Sequence, residues 1–163
     1  MTEGAMMTGC CSGGTRVTVD VERLVVEGET CDRCASTWDA ARQAVEMVAA
    51  EASGIGLAVD LREVPLPPER ISDSNRVLVN GRLVEEWLDG SAAMTECASC
   101  GDLVGESVCC RSYEIDGLAS DSLSAADIAR AIRAAAGLAA PSESPSGDSP
   151  RTSVVLVTSS ECG

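Results

Sequence analysis

Residues 16–61 decide the fold, and they read RVTVDVERLVVEGETCDRCASTWDAARQAVEMVAAEASGIGLAVDL. Val17, Val19 and Val21 alternate with polar residues, which predicts a strand system that ends at Gly28. A helix is expected after this strand, because apolar residues then recur at helical spacing: Trp38, Ala41, Val45, Val48, Ala49 and Ala52.

The helix is expected to end at Gly54 and Gly56, and Leu57, Val59 and Leu61 then alternate as a second strand. A strand, a helix and a second strand within about 45 residues are typical of a parallel βαβ crossover. The sequence therefore predicts an α/β protein.

A hairpin is predicted around Asn80-Gly81, because short apolar runs flank this pair and Asn-Gly supplies the positive φ angles of a type I′ turn. A helical turn is expected to begin around Pro68, and a short helix is expected from Glu85 to Leu88. The first two residues of this short helix, both glutamates, are expected on a solvated face.

The last predicted helix has a clear beginning and end. Ser124 and Asp127 form an acidic capping box, and the helix is expected to stop at Gly137. One apolar face is expected along it: Ile128, Ala131, Ile132 and Ala135. Tyr113 and Ile115 predict one more short strand before this helix.

Composition divides the chain into three parts. Residues 1–15 are small, polar and Gly-rich, and are predicted to form a flexible arm that contains cysteines. Residues 16–137 are predicted to form one domain, in which residues 94–111 form a Cys-rich insertion with little periodicity. Residues 138–163, with their run of Pro, Ser, Gly and Asp, are predicted to be a disordered tail.

The charge balance excludes several functional classes. The chain has 12 positive residues, all arginine, against 26 acidic residues, and its net charge is −14. Such an acidic surface repels phosphate backbones and anionic headgroups, so we expect neither a nucleic-acid partner nor a membrane partner. The absence of histidine excludes a Ser-His-Asp triad, a Cys-His dyad and a mixed Cys/His zinc site.

The chain has a high cysteine content, with nine cysteines. Such a number is typical of a secreted disulfide scaffold or of a cytosolic thiol or metal protein. The first fifteen residues have no basic start and no apolar stretch of signal-peptide length, and an odd number of thiols fits a fully paired scaffold badly. We therefore expect a cytoplasmic protein.

Cys31 and Cys34 enclose two residues at the turn from the first strand into the helix. The N–H groups and dipole of a helix N-terminus lower the pKa of a thiol such as Cys31, which Arg33 would assist and Asp32 would oppose. A two-residue spacer lets both sulfurs form a disulfide or chelate one soft ion. We predict that Cys31 is an exposed thiolate and that Cys34 is its resolving or co-ligating partner; the alternative is two small buried residues that cap a helix.

A second group of thiols comprises Cys97, Cys100, Cys109 and Cys110, within fourteen positions. Four thiols can bind a tetrahedral zinc ion or hold an iron–sulfur cluster. The alternative is a structural zinc knuckle that only folds its own loop. The adjacent Cys109 and Cys110 suit a trigonal thiophilic ion better than tetrahedral zinc.

Cys10 and Cys11 form a vicinal pair in the predicted arm. This pair could deliver or capture a soft ion or resolve a disulfide elsewhere, and an incidental exposed pair is the alternative. Cys162, in the predicted tail, is expected to take no part.

Several motifs occur together in this chain: Cys31-Asp32-Arg33-Cys34, Ser74-Asn75 leading into Val77-Leu78-Val79-Asn80-Gly81, Glu86-Trp87-Leu88, Cys97-Ala-Ser-Cys100-Gly-Asp-Leu and Cys110-Arg111. The combination resembles an uncharacterised thioredoxin-like family of archaea and bacteria, a domain of unknown function, over about residues 16–137. The resemblance implies a thioredoxin-like sheet with flanking helices and no established activity. More loosely, the thiol arrangement is similar to that of arsenite metallochaperones.

The chain departs from true thioredoxins at three points. Asp32 and Arg33 stand between the cysteines instead of Gly-Pro, no Trp precedes Cys31, and Ser74-Asn75-Arg76 stands where thioredoxins have a cis-proline. That proline helps to exclude metals from the thioredoxin redox pair. Its absence makes simple disulfide reductase activity doubtful and metal binding at Cys31 and Cys34 easier.

Three functions follow from these patterns. The first is binding of a soft metal or metalloid ion, such as arsenite, mercury, copper(I) or zinc, with no organic cofactor. The second is a dithiol–disulfide oxidoreductase with a redox partner protein, in which Cys31 attacks and Cys34 resolves while the insertion holds structural zinc. The third is a non-catalytic scaffold whose cysteines only bind structural zinc.

Overall fold

The computed structural model describes residues 15–52 and 54–138. The regular elements are, in chain order, β1 (Arg16–Leu24), α1 (Asp32–Glu51), β2 (Ala58–Leu66), a 3₁₀ helix (Pro68–Asp73), β3 (Arg76–Val79), β4 (Arg82–Leu83), α2 (Val84–Trp87), β5 (Ser91–Glu96), α3 (Ala98–Val104), β6 (Cys109–Ile115), β7 (Leu118–Ser120) and α4 (Ala125–Ala135). Sheets with flanking helices confirm the predicted α/β class.

The first sheet has the strand order β2-β1-β3-β4. β1 runs parallel to β2, with Val17 opposite Val59, and antiparallel to β3, with Val19 opposite Val79. Two parallel neighbours need a crossover connection, and α1 supplies it. The predicted βαβ unit is therefore confirmed.

The core lies between this sheet and the helices α1 and α4, which also contact each other. The alternation in β1 explains the core, because Val17, Val19 and Val21 are buried while Thr18, Asp20 and Glu22 remain partly exposed. The larger fully buried side chains of this core are Val17, Val19, Val21, Val48, Val77, Val79, Val84, Ile128 and Ile132.

The turn and cap predictions are confirmed. Asn80 and Gly81 have φ angles of 51° and 77°, as the hairpin between β3 and β4 requires. Ser124 precedes α4, and its hydroxyl accepts a hydrogen bond of 3.1 Å from the main-chain N–H of Asp127. Local sequence therefore sets these two boundaries.

A second, antiparallel sheet of order β5-β6-β7 follows the first. Residues 94–111 are more regular than the expected insertion, because they end β5, form α3 and begin β6. Their pattern carries little periodicity because β5 is exposed along almost its whole length and α3 has only 7 residues. The Cys-rich segment is thus a strand–helix–strand unit.

The expectation that both glutamates of α2 lie on a solvated face is wrong for Glu85. Glu86 is exposed, but the side chain of Glu85 is buried where α2 meets β6. Its carboxylate forms an ion pair with Arg111 of β6. The burial of this charge depends on a long-range contact with β6, a strand of which the sequence predicted only the part around Tyr113 and Ile115.

Among residues 15–52 and 54–138, none of the helices combines the length and the hydropathy needed to cross a bilayer. The thioredoxin-like layout implied by the resemblance stays a prediction, since the strand order and directions establish the α/β class alone.

Candidate metal centre

Four cysteine sulfurs come together where the start of α1 meets α3 and β6. The Sγ atoms of Cys31, Cys97, Cys100 and Cys110 all lie within 4.8 Å of one another. All four side chains are buried, and the most exposed of them, Cys97, is 3% exposed. Four converging thiols are a donor set of closed, tetrahedral metal sites in proteins. We call these residues the four-thiol cluster.

The connection between β1 and α1 provides the first thiol of the cluster. Cys31 is the N-cap of α1, and its Sγ accepts a hydrogen bond of 3.4 Å from the main-chain N–H of Cys34. Hydrogen bonds with Cys100 and Cys110 lower the pKa of Cys31 far below its ordinary value, although burial acts against this shift. The helix N-terminus favours the thiolate in the same way. Cys31 therefore ionises more readily than Cys100 and Cys110.

The predicted exposure of Cys31 is wrong, because this residue is only 1% exposed. Cys97, Cys100 and Cys110, on α3 and β6, pack against the turn before α1 together with Leu24 and cover it. The residues that bury Cys31 thus come from the Cys-rich segment 94–111, whose regular structure the sequence pattern did not predict.

Cys97 and Cys100 lie at the beginning of α3. Cys97 is the N-cap and Cys100 follows three residues later, a spacing that puts both side chains on one side of the turn. The Ser99 hydroxyl lies 3.6 Å from the Cys97 Sγ, and it accepts a hydrogen bond of 3.1 Å from the main-chain N–H of Asp32. One hydroxyl thus links the beginnings of α1 and α3.

β6 provides the fourth thiol. The Cys110 thiol donates to the Cys100 Sγ over 2.9 Å, and the Ser74 hydroxyl donates to the Cys110 Sγ over 3.8 Å. Cys109 does not belong to the cluster and is disulfide-bonded. Neighbouring residues of a strand point to opposite faces, so the vicinal pair cannot act as one unit here.

The pKa values of Cys100 and Cys110 are shifted in the opposite direction to that of Cys31. Hydrogen bonds with Cys110 and Cys31, together with burial, raise the pKa of Cys100. The hydrogen bond with Cys100 lowers the pKa of Cys110, but the one with Cys31 and burial outweigh it and raise that pKa to about 12. Cys100 and Cys110 therefore hold protons that a bound cation would replace.

Cys34 is a fifth buried thiol, next to Cys31 but outside the four-thiol cluster. The hydrogen bond with Cys31 raises the pKa of Cys34, and burial adds to the effect. Cys34 is thus a neutral thiol beside a thiolate. Of the predicted pair, Cys31 joins the cluster and Cys34 contributes its main-chain N–H.

Arg33 has a different role from the predicted support of the Cys31 thiolate. Its guanidinium donates to the Thr95 Oγ1 over 2.7 Å and to the main-chain carbonyl of Glu96 over 2.6 Å. It also lies 3.4 Å from both the Cys110 carbonyl and the carboxylate of Asp121. Arg33 therefore fastens the first turn of α1 to the second sheet.

The dimensions of the four-thiol cluster suit a thiophilic ion. A zinc ion with Zn–S bonds of about 2.3 Å requires sulfurs about 3.8 Å apart at the corners of a tetrahedron. The Cys100 and Cys110 sulfurs, now 2.9 Å apart, would separate by about 0.9 Å on binding such an ion. This movement is within the reach of a side-chain rotation.

The two predicted thiol groups are therefore parts of one arrangement. The structure joins Cys31 of the first group with three members of the second, and leaves Cys34 and Cys109 out. Cys10, Cys11 and Cys162 lie outside the described residues. Sequence reasoning missed the two hydroxyl groups at the cluster, those of Ser74 and Ser99, although both occur within quoted motifs.

The fold and these donors define a mixed α/β protein with a buried four-cysteine cluster that can hold a metal ion. The chain belongs to the family described as a domain of unknown function, DUF2703, which matches residues 17–132. All four cluster cysteines lie within this match. An uncharacterised protein of Archaeoglobus fulgidus is 37% identical over 106 residues, which cover 62% of this chain and 74% of that protein. No solved structure matches the chain.

Proposed function

We propose that this protein binds one thiophilic metal ion, with zinc as the best fit, through the thiolates of Cys31, Cys97, Cys100 and Cys110. The observation that carries the proposal is the convergence of these four buried sulfurs within 4.8 Å of one another. No other function is supported by so many converging groups in the described residues.

The donor set favours a tetrahedral ion. Thiolates select zinc, copper(I) and similar soft cations, and a four-sulfur tetrahedron is typical of zinc. A trigonal metalloid such as arsenite uses three sulfurs and would leave one buried thiol without a role. Since Cys109 is outside the cluster, the argument against zinc from adjacent ligands no longer applies.

The bound ion would also stabilise the fold. Four protein ligands leave no open coordination position, which is a property of structural sites and not of catalytic ones. The ligands come from the start of α1, from α3 and from β6, so the ion would join the two sheets. Its binding free energy then becomes folding free energy.

Native mass spectrometry of the anaerobically purified full chain tests the proposal. We expect one zinc ion per chain in the wild-type protein and loss of this ion in Cys100→Ser. The matched control is Cys34→Ser, which replaces an equally buried thiol outside the cluster and should keep the ion. Loss of zinc from the control alone, or retention in both variants, would contradict the assignment.

The second candidate is a dithiol–disulfide oxidoreductase, which the contact between Cys34 and Cys31 favours. In this reaction the Cys31 thiolate attacks a substrate disulfide and releases one thiolate, and Cys34 then displaces the second. The substrate disulfide is reduced as the pair is oxidised to a disulfide. The burial of Cys31 speaks against it. Reversible oxidation of this pair in glutathione buffers, in protein that still holds its zinc, would favour it over the first proposal.

A further inference from the structure

An open cavity of about 460 Å³ lies beside α3 at the edge of the four-thiol cluster. Cys97 is the cluster cysteine that lines it, together with Glu96, Gly101, Asp102 and Glu106. Cys97 is 3% exposed, whereas Cys100 and Cys110 are completely buried. The cavity therefore borders Cys97 and not the two completely buried cysteines.

Three carboxylates surround the mouth of this cavity. Glu96, Asp102 and Glu106 are exposed, and none of them forms an ion pair within the part of the chain that the structure describes. The guanidinium of Arg33 contacts the main-chain carbonyl of Glu96 and pairs with the carboxylate of Asp121. The mouth therefore presents uncompensated negative charge.

Two glycines let the loop after α3 pack closely against this helix at the cavity. A Cβ at Gly101 would lie 3.0 Å from the main-chain oxygen of Glu106, so a larger residue would push the loop after α3 outward. Gly105 ends α3 with a φ of 80°, which turns the chain back along the cavity. Both glycines hold Asp102 and Glu106 beside Cys97.

We propose that this cavity is the route by which the metal ion enters and leaves the four-thiol cluster, that Cys97 is the first sulfur it meets, and that the route accepts cationic metal donors and repels anionic ones. The inference rests on the proposed metal binding. On entry, the Cys97 thiol loses a proton to solvent and its thiolate replaces a ligand of the donor. The Cys31 thiolate replaces another ligand directly, and Cys100 and Cys110 replace further ligands after each loses a proton to solvent, without any redox change.

Electrostatic attraction gives the route its selectivity. Charges at the mouth of a cleft raise the local concentration of ions of opposite sign and lower that of ions of like sign. The effect decreases with salt, since the Debye length is about 10 Å at 0.1 M ionic strength. Hydrated cations should therefore enter faster than anionic chelates, and added salt should reduce the difference.

The test measures cadmium uptake by the metal-free full chain in a stopped-flow instrument, through the absorption of the cadmium–thiolate bonds. One donor is the hydrated Cd²⁺ ion and the other is the anionic cadmium–nitrilotriacetate complex. The route variant carries Glu96→Gln, Asp102→Asn and Glu106→Gln together.

A matched control variant carries Asp39→Asn, Glu46→Gln and Glu69→Gln. These three residues are exposed on α1 and the 3₁₀ helix, away from the cavity, and their replacement changes the net charge by the same amount. The control therefore separates the local charge of the cavity mouth from the total charge of the protein.

At low ionic strength we expect the route variant to take up hydrated Cd²⁺ at least about threefold more slowly than wild type, and to take up the anionic complex faster. The control variant should change both rates by less, and all three proteins should bind one ion at equilibrium. Equal rates in wild type and route variant, or equal changes in the route and control variants, would overturn the proposed route.

Equilibrium binding separates this inference from the proposed function. If the wild-type protein binds no cadmium, or if binding is independent of the four cluster cysteines, the metal-binding proposal itself is wrong. If one ion binds through the cluster but the rates do not depend on the three carboxylates, the metal-binding proposal stands and the route is wrong.

Discussion

The Arg33 guanidinium, in the first turn of α1, donates a hydrogen bond of 2.6 Å to the main-chain carbonyl of Glu96, the residue before Cys97. This contact joins two segments that each carry sulfurs of the cluster. Arg33 thereby holds Cys31 and Cys97 at a fixed separation before any ion binds. Pre-positioned ligands of this kind depend on the groups that support them.

Arg33→Met should weaken zinc binding by roughly tenfold, because support of the ligand segments is typically worth 10- to 100-fold in metal affinity. Competition with a chromogenic zinc chelator measures the affinity. The control is Arg42→Met, which removes an exposed guanidinium from the same helix. Equal affinities in the two variants would show that the contact with Glu96 does not support the site.

Removal of the metal should loosen the second sheet more than the first. α3 has 7 residues and β5 is almost wholly exposed, so few apolar contacts hold this region without the ion. Hydrogen exchange of the zinc-loaded and chelator-treated protein should differ most in α3 and the start of β6. Uniform protection, or a larger loss in β1 and β2, would contradict this expectation.

Zinc affinity should rise steeply with pH. The raised pKa values of Cys100 and Cys110 keep both thiols protonated at neutral pH in the metal-free protein. Binding of the ion must release at least these two protons, which corresponds to at least about a 100-fold gain in affinity per pH unit between about pH 6 and 8. The test is zinc titration at several pH values, and an affinity independent of pH would exclude ligation by these thiols.

Tyr113 should ionise only when the protein unfolds. Burial, reinforced by the Glu85 carboxylate, raises the pKa of Tyr113, and its hydroxyl donates to the main-chain carbonyl of Asn75. Because the folded pKa exceeds the unfolded value of about 10, this stabilisation is complete below about pH 10 and is lost as the pH rises through the folded pKa.

The absorbance of phenolate reports on this residue alone, because the chain has one tyrosine. We expect its alkaline titration to coincide with the loss of helical circular dichroism, and to shift to about pH 10 in urea. Ionisation near pH 10 with the helices intact would contradict the buried hydrogen bond.

Asn75 should be among the least replaceable residues of the domain. It is fully buried with a φ of 63°, and its side chain accepts from the Thr37 hydroxyl and donates to the carbonyls of Arg111 and Asp121. Asn75→Ala should destabilise the fold by about 3 kcal/mol or more, because it leaves these buried groups unpaired. Urea unfolding measures this loss. If Asn75→Gly were as stable as wild type, only the backbone angle would matter and the side-chain bonds would not.

The first sheet was predictable because its patterns are local. The alternation of Val17 and Val19, the helical spacing after Cys34 and the turn at Asn80-Gly81 each act within a few residues. β5 and α3 were not predictable in this way. Their packing against the start of α1 is a long-range contact, and no hydrophobic period marks it.

Which cysteines form the cluster was not predictable from local sequence either. Cysteine spacing predicted metal-binding groups, but the union of Cys31 with Cys97 depends on the contact between the two sheets. Alternation along β6 would favour the wrong cysteine. Tyr113 and Ile115 are buried, and a period of two residues places Cys109 on the same face of the strand as these two side chains. Cys110 is buried on the opposite face, where α3 lies against it.

Zinc K-edge X-ray absorption of the zinc-loaded full chain identifies the ligand atoms of the bound ion. A site of four thiolates predicts one shell of four sulfurs at about 2.3 Å and no oxygen or nitrogen ligand. A shell of two or three sulfurs completed by oxygen would contradict the closed four-thiolate site formed by Cys31, Cys97, Cys100 and Cys110.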